Sequence, residues 1–424
     1  MPGVAALAIA FVALALYDAP PPDDSEYKTP FVPVADETNA AEMLSRLNGK
    51  IKTDEAGLQE LAGHLSGLQW HDFWEGDLVD FEAQVFVMVK NQEALGILSK
   101  ARKMPDMQFG LKAGEMTIVP GPLPDPDSFF QACKVARISW QNIRDGKRIF
   151  AWEEALDHIQ FAKKYGMAEN VTLMDFLVGM TAEHQAVRLM MKNISHLNER
   201  DCAMRVAAWL TEGAYAPADF KHVFRAEYLL CDWFVSDQKQ SLAKHATLRM
   251  HYGFKPNATR QRILDILKSM EEAIDRGDDN IVEVPTENFG EKSKIETAIY
   301  IAKPNFMGRL MLELWFSNNW NQMYMDMKHK MARTRLAACA FALRAYWLDH
   351  GVLPDAMDEL VPTYVKSVPA DAYGGKPVQY NKERAVVYSA GKERIYDDGA
   401  FALGPEAAHG ENRPFLILEW VARP

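Results

Sequence analysis

Apolar positions recur along this chain mostly at helical spacing. In 150–165, Ala151, Ala155, Ile159 and Ala162 form one stripe. In 170–193, Leu173, Phe176, Leu177 and Met180 are apolar. In 258–273 the stripe runs Ile263, Ile266, Leu267, Met270 and on to Ile274. Further helices are predicted over 40–47, 55–65, 79–103, 129–145 and 196–210, and Pro217 opens another in its first turn. Turns between them are short, as at Lys164-Tyr165-Gly166-Met167 and Glu212-Gly213-Ala214. Prolines at 120, 122, 124 and 126 mark 105–127 as an irregular loop or internal boundary.

The pattern changes near the C-terminus. Leu336, Ala340, Leu343 and Trp347, widened by Ala337, Phe341 and Ala345, predict a long helix that Gly351 stops. A helical turn over 355–360 and the cluster Asp371-Ala372-Tyr373-Gly374-Gly375 follow. Val378-Gln379-Tyr380 and Ala385-Val386-Val387-Tyr388-Ser389, joined by Asn381-Lys382-Glu383-Arg384, read as a hairpin, and 415–420 as a last strand. The predicted fold class is therefore mainly α. An antiparallel α-hairpin array, TPR-like by analogy and without a strict repeat, leads into a small α+β domain of one long helix and a short antiparallel sheet.

The first residues differ from both patterns. Val4 to Tyr17 is uncharged and apolar, about the length of a signal-peptide core and short for a span of about 17–25 residues. No Lys or Arg precedes it, and Tyr17 and Pro20 flank the best exit after Ala19. An uncleaved anchor is expected over 1–17; a buried core helix is the alternative. The acidic, proline-rich stretch 18–37 reads as a stiff linker, followed by a helical body over 38–304 and the long helix with its C-terminal domain over 305–424. With no positive charge after the apolar run, the body is expected on the extracytoplasmic side.

Composition narrows the function classes. The 424 residues carry 47 Lys+Arg against 58 Asp+Glu, a formal charge of −11, without a basic stripe. Nucleic acid is excluded as an expected partner. Cys133, Cys202, Cys231 and Cys339 form no CxxC pair and sit in helical stretches, the setting of buried free thiols; in an oxidising compartment one pair could bridge, and the sequence does not say which. No HExxH, GxSxG, Walker A or GxGxxG motif is present. Glu154 and His158 stand at i and i+4, where two ligands for one ion could stack; a solvated helix face is the reading adopted. Trp70, His71, Phe73 and Trp74 could line a ligand surface; the end of a helical layer is the plainer reading.

A resemblance adds to this. Ala345-Tyr346-Trp347-Leu348-Asp349-His350-Gly351-Val352-Leu353-Pro354, Leu360-Val361-Pro362-Thr363-Tyr364, the run from Val368-Pro369-Ala370-Asp371 to Tyr380, Val387-Tyr388-Ser389-Ala390-Gly391 and Asp397-Asp398-Gly399 keep an order and spacing. Over about the last quarter of the chain they resemble the globular domain of type II secretion major pseudopilins. The chain as a whole resembles a group of bacterial membrane-anchored envelope proteins with a helical body and a pseudopilin-like tail. That second resemblance implies location and architecture, and no activity. The segment before the long helix is amphipathic and charged, and 1–17 holds no glutamate, so assembly into a filament is not implied.

The pseudopilin resemblance implies calcium in the loop after the last hairpin, at Ser389, Asp397 and Asp398. Hard oxygen ligands in a Gly-containing loop suit Ca²⁺. Lys392, Glu393 and Arg394 depart from the pattern, and a turn closed by Asp side chains on their own backbone is the alternative. The expectation is a non-enzymatic scaffold or protein-interaction protein of the bacterial envelope, secretion-related and anchored in the inner membrane, with its body in the periplasm. It would take a protein or peptide partner, touch the membrane through its N-terminal segment and use no cofactor besides the candidate calcium. The alternative is an envelope hydrolase whose site is scattered over the helical body.

Overall fold

The computed structural model describes residues 17–53, 74, 80–113, 116–119, 121–144, 147–243, 254–282, 303–316, 319–394 and 414–418. It is mainly helical with small antiparallel sheets. In chain order the elements are α1 (Ala40–Ser45), α2 (Phe81–Lys90), α3 (Gln92–Arg102), β1 (Leu111–Ala113), β2 (Met116–Val119), α4 (Pro126–Ile138), β3 (Gln141–Arg144), β4 (Lys147–Phe150), α5 (Trp152–Gly166), α6 (Leu173–Asn193), α7 (Arg200–Glu212), α8 (Phe224–Ala243), α9 (Pro256–Arg276), α10 (Phe306–Trp315), α11 (Asn319–His350), β5 (Gln379–Asn381), β6 (Val386–Tyr388) and β7 (Phe415–Ile417). Short 3₁₀ turns cover Ile194–His196, Pro217–Val223 and Met357–Leu360. Among the described residues no helix is long and apolar enough to cross a membrane. The expected anchor over 1–17 lies, save Tyr17, outside the described residues.

The chain divides into two compact units, each assembled from distant segments. One holds the described residues of 1–33, 110–121 and 220–325; the other holds those of 34–109, 122–219 and 326–424. The division falls within α11, and the expected boundary at 304/305 falls inside the first unit.

In the first unit, α8 and α9 pack together beside the β1–β2 hairpin. Phe220, Phe224, Phe316, Trp320 and Tyr324 form an aromatic cluster, with Phe316 stacked on Trp320 at 5.8 Å. The acidic, proline-rich segment is tied down here. Asp18 accepts from the backbone amides of Asn257 and Ala258, 2.9 and 3.1 Å away, and so caps the positive end of α9. Tyr27 is buried against Tyr228, whose hydroxyl donates to Asp24, and Lys28 bridges Asp24 and Asp232.

The second unit carries the larger core. The stripe residues Ala155 and Ile159 of α5, Ala186 and Met190 of α6, Val206 and Leu210 of α7, and Leu336, Ala340, Phe341 and Leu343 of α11 are buried together. The α11 stripe also packs with Leu353, Leu360, Tyr364, Val378, Val387 and Leu418, so the C-terminal sheet and the helical hairpin share one apolar core. The sheet has order β5-β6-β7, antiparallel throughout, with Tyr380 opposite Val387 and Val387 opposite Leu416. Gly351, at φ +70°, ends α11 as its sequence position predicts, and its amide donates to Trp347 O.

Three local expectations are corrected. The single helix over 79–103 is two helices, broken at Asn91. There the side-chain amide bonds the carbonyls of Val87 and Lys52, and the side-chain oxygen takes the Lys52 amide. This pairing with another segment competes with the helix ladder. The helix expected over 129–145 ends at Ile138, and Gln141–Arg144 pairs antiparallel with Lys147–Phe150. Asp145-Gly146 between its strands is a strong two-residue hairpin signal. The irregular stretch 105–127 contains the β1–β2 hairpin.

Candidate functional site

The main candidate is a polar layer inside the helical hairpin of the second unit. Its floor is the α5–α6 crossing. At Gly179 a Cβ would lie 2.6 Å from Gly166 N, 2.7 Å from Gly166 Cα and 2.8 Å from Ala162 O, so only glycine allows the backbones this close. The N-terminus of α6 is fixed by Thr172, which caps it through Asp175 N at 3.2 Å. Asp175 accepts from the Tyr165 hydroxyl at 2.9 Å and the Thr172 hydroxyl at 2.6 Å. Burial raises its carboxyl pKa, and these two donors oppose the rise.

Glu183 projects from α6 at the helical spacing of Phe176, Met180, Val187 and Met190, which are all buried. It is 2% exposed, and its Oε2 has no hydrogen-bond partner. Burial pushes its carboxyl up to about 8, opposed by the charge of Lys163 and reinforced by that of Asp219. Lys163 of α5 pairs with Asp219, and its ammonium lies 3.9 Å from the centroid of the Tyr215 ring. Asp219 also accepts from the amide of Ala216 at 3.0 Å, closing the turn that carries Tyr215. Tyr215 is 3% exposed; its hydroxyl is unpartnered and packs where a Cβ of Gly166 would stand. Burial raises its pKa well above the usual value, and the charges of Glu183 and Asp219 add to this. One cation thus serves two carboxylates, one of them sealed from water.

Next to Glu183, His184 is held neutral, its pKa lowered to about 3 by burial and by Arg333, Lys330, His329 and Arg188. Lys330 of α11 donates to the Thr181 hydroxyl at 2.8 Å.

A second buried group involves His158. The sequence reading placed Glu154 and His158 on one solvated face. Glu154 is exposed, but His158 is 0% exposed, edge-on to Trp140 at 4.9 Å, with neither ring nitrogen bonded. Burial, with Arg102 and Arg137 nearby, keeps it neutral. The two residues share no ligand face. Trp74 of the expected aromatic cluster is buried with Ala83, Val87, Val135 and Ile138, under the ammonium of Lys134 at 4.5 Å; Trp70, His71 and Phe73 lie outside the described residues.

Of the candidate calcium ligands, Asp397 and Asp398 lie outside the described residues. Ser389 is buried, and its hydroxyl donates to both Asp371 oxygens, at 2.7 and 2.9 Å, while its oxygen accepts from Gly391 N at 3.0 Å. Asp371 also accepts from the amides of Ala390 at 2.7 Å and Tyr373 at 3.2 Å. A protein carboxylate therefore occupies the Ser389 hydroxyl and joins the turn at 371–376 to the end of β6. Among the described residues no three His, Cys, Asp or Glu side chains are grouped to hold a metal. The four cysteines are buried and free, and burial raises Cys133 and Cys339 to about 12.

The sequence reading missed Glu183, Lys163, Tyr215 and Asp219. The available signal was a carboxylate standing within an apolar helical stripe. The chain matches no family model, and comparisons with curated proteins and with solved structures return no match.

Proposed function

We propose that this protein is an anchored, extracytoplasmic scaffold of a bacterial envelope, secretion-related and non-enzymatic. It presents a TPR-like helical array and a pseudopilin-like head to a protein or peptide partner. The observation that carries the reading is the C-terminal module. A long helix, α11, is covered on its buried stripe by a three-stranded antiparallel sheet, with Asp371 pinning the loop that leaves β6. That is the architecture the resemblance to pseudopilin heads implies. The shared core with α5, α6 and α7 makes this head a fixed part of a larger body, as a presenting scaffold requires. Helical arrays suit such work because they offer extended surfaces.

The hydrolase reading has one observation in its favour: a carboxyl at about 8 lies where general acid–base catalysis operates best. But Glu183 and Tyr215 are sealed from solvent, and a catalytic group must touch its substrate. The scaffold reading is therefore preferred.

The test is photo-crosslinking in cells from single positions on the head, beginning with the exposed Val352 beside Gly351. One discrete adduct with the same protein from several head positions is expected. No adduct from any of them, together with substrate turnover by the purified chain that Glu183→Gln abolishes, would replace the scaffold with the enzyme.

A further inference from the structure

From the arrangement of Lys163, Glu183, Tyr215 and Asp219 we infer that the turn 213–219 is a proton-gated latch, closed by a neutral Glu183 and released when that side chain ionises. Three observations carry it. Glu183 Oε2 and the Tyr215 hydroxyl are both buried and unpartnered, so the layer closes only if Glu183 carries no charge. Lys163 is the cation whose charge acts on Glu183, and it is already engaged by Asp219 and by the face of Tyr215. The turn itself depends on Asp219, which bonds Ala216 N, and on Tyr215, which fills the notch at Gly166.

Ionisation therefore sets Glu183 against Asp219 for one ammonium. The proton leaves to solvent and no other bond changes. A charged Glu183 draws Lys163 inward or takes up water; either event removes the clamp on Asp219 and the cation from the Tyr215 ring. Lys330 of the neighbouring helix is engaged elsewhere, its ammonium donating to the Thr181 hydroxyl. The charges that act on Glu183 are those of Lys163 and Asp219; Arg333, Lys330, His329 and Arg188 act on the next residue, His184. His184, lowered to about 3, is neutral throughout the range of the switch. This inference stands apart from the scaffold reading: the latch exists or fails whatever the chain binds.

The experiment is amide hydrogen exchange on the full chain from pH 6.5 to 9.5, corrected for the intrinsic pH dependence of exchange and read by mass spectrometry in peptides spanning 212–220. Protection of this turn should fall at least about tenfold, with a midpoint near 8. Peptides from α11 should keep theirs. Glu183→Gln, of the same shape and without a charge, should stay protected across the range, and Tyr215→Phe should keep the midpoint. Asp219→Asn should leave the turn unprotected at every pH. Constant protection in the wild type, or a midpoint that survives in Glu183→Gln, overturns the latch. If Glu183→Gln does not fold, Asp219→Asn decides: a midpoint that persists there also overturns it.

Discussion

Replacing Gly179 by Ala isolates the feature that brings α5 and α6 together. In a free helix this change stabilises by about 1 kcal/mol, because alanine loses less backbone entropy than glycine. Here the added methyl meets three backbone atoms of α5 at 2.6, 2.7 and 2.8 Å. A Cβ has no rotamer to escape into, and backbone cannot swing aside as a long side chain can. Restoring an ordinary 3.4 Å contact moves the helices apart by about 0.8 Å. That opens the packing around Ala162, Phe176 and Met180, all buried. Overpacking of this kind costs about 3 kcal/mol, the upper part of its usual range. The net loss is then about 2 kcal/mol. With m of about 2–3 kcal/mol/M, the urea midpoint of this unit should fall by about 0.7–1 M. Gly96 in α3 is the matched control, since a Cβ there meets nothing within 4 Å. Gly96→Ala should raise the same midpoint by about 0.3–0.5 M. Both glycines lie in the second unit, so one transition reports both in a fit that allows the two units to unfold separately. Midpoints that move in the same direction, or a Gly179→Ala protein as stable as wild type, would refute the close-crossing argument.

Other consequences can be measured directly. The folded carboxyl of Glu183 lies above its unfolded value, from 4.5 to about 8, so its favourable contribution is complete below pH 4.5 and is lost as pH rises toward 8. Relative to Glu183→Gln, wild-type stability should fall across that window by at most about 5 kcal/mol, less where Lys163 rearranges; parallel urea midpoints from pH 5 to 8 would rule this out. Asp371→Ala leaves the Ser389 hydroxyl and the Ala390 amide buried without an acceptor, and should cost about 3 kcal/mol, with loss of exchange protection in β6 before α11. Millimolar Ca²⁺ against EGTA should raise the melting temperature of the body from Asp18 onward if Asp397 and Asp398 bind the ion, and Asp397→Ala/Asp398→Ala should lose that rise; no shift in either protein removes the calcium site.

What could be read from sequence was what one element decides alone. The stripes of α5, α9 and α11 are visible because each repeats at helical spacing over several turns, and Gly351 stops α11 because only a residue at ease with positive φ ends a helix that way. The hairpin 379–388 is visible because polar turn residues separate two short runs that carry Val and Tyr. The β3–β4 hairpin was missed because Gln141, Asn142, Arg144, Lys147 and Arg148 dilute its apolar pattern. Asn91 breaks a helix only because residue 52 comes to meet it. The polar layer fails for the same reason. Lys163, Glu183, Tyr215 and Asp219 each look ordinary in their own segment, and the charge conflict among them arises from the packing that places one cation against two carboxylates. His158 was placed on a solvated face by its spacing from Glu154, whereas its place in the Ala151, Ala155, Ala162 stripe points inward.

An envelope protein of the kind proposed has its body in the extracytoplasmic space. The most direct measurement is fractionation of cells expressing the full chain, followed by proteinase K treatment of spheroplasts. The full chain should sediment with the membranes and be cleaved in intact spheroplasts, and should be released into the soluble fraction when residues 1–17 are deleted. A full chain in the soluble cytoplasmic fraction, or one protected until the spheroplasts are lysed, contradicts it.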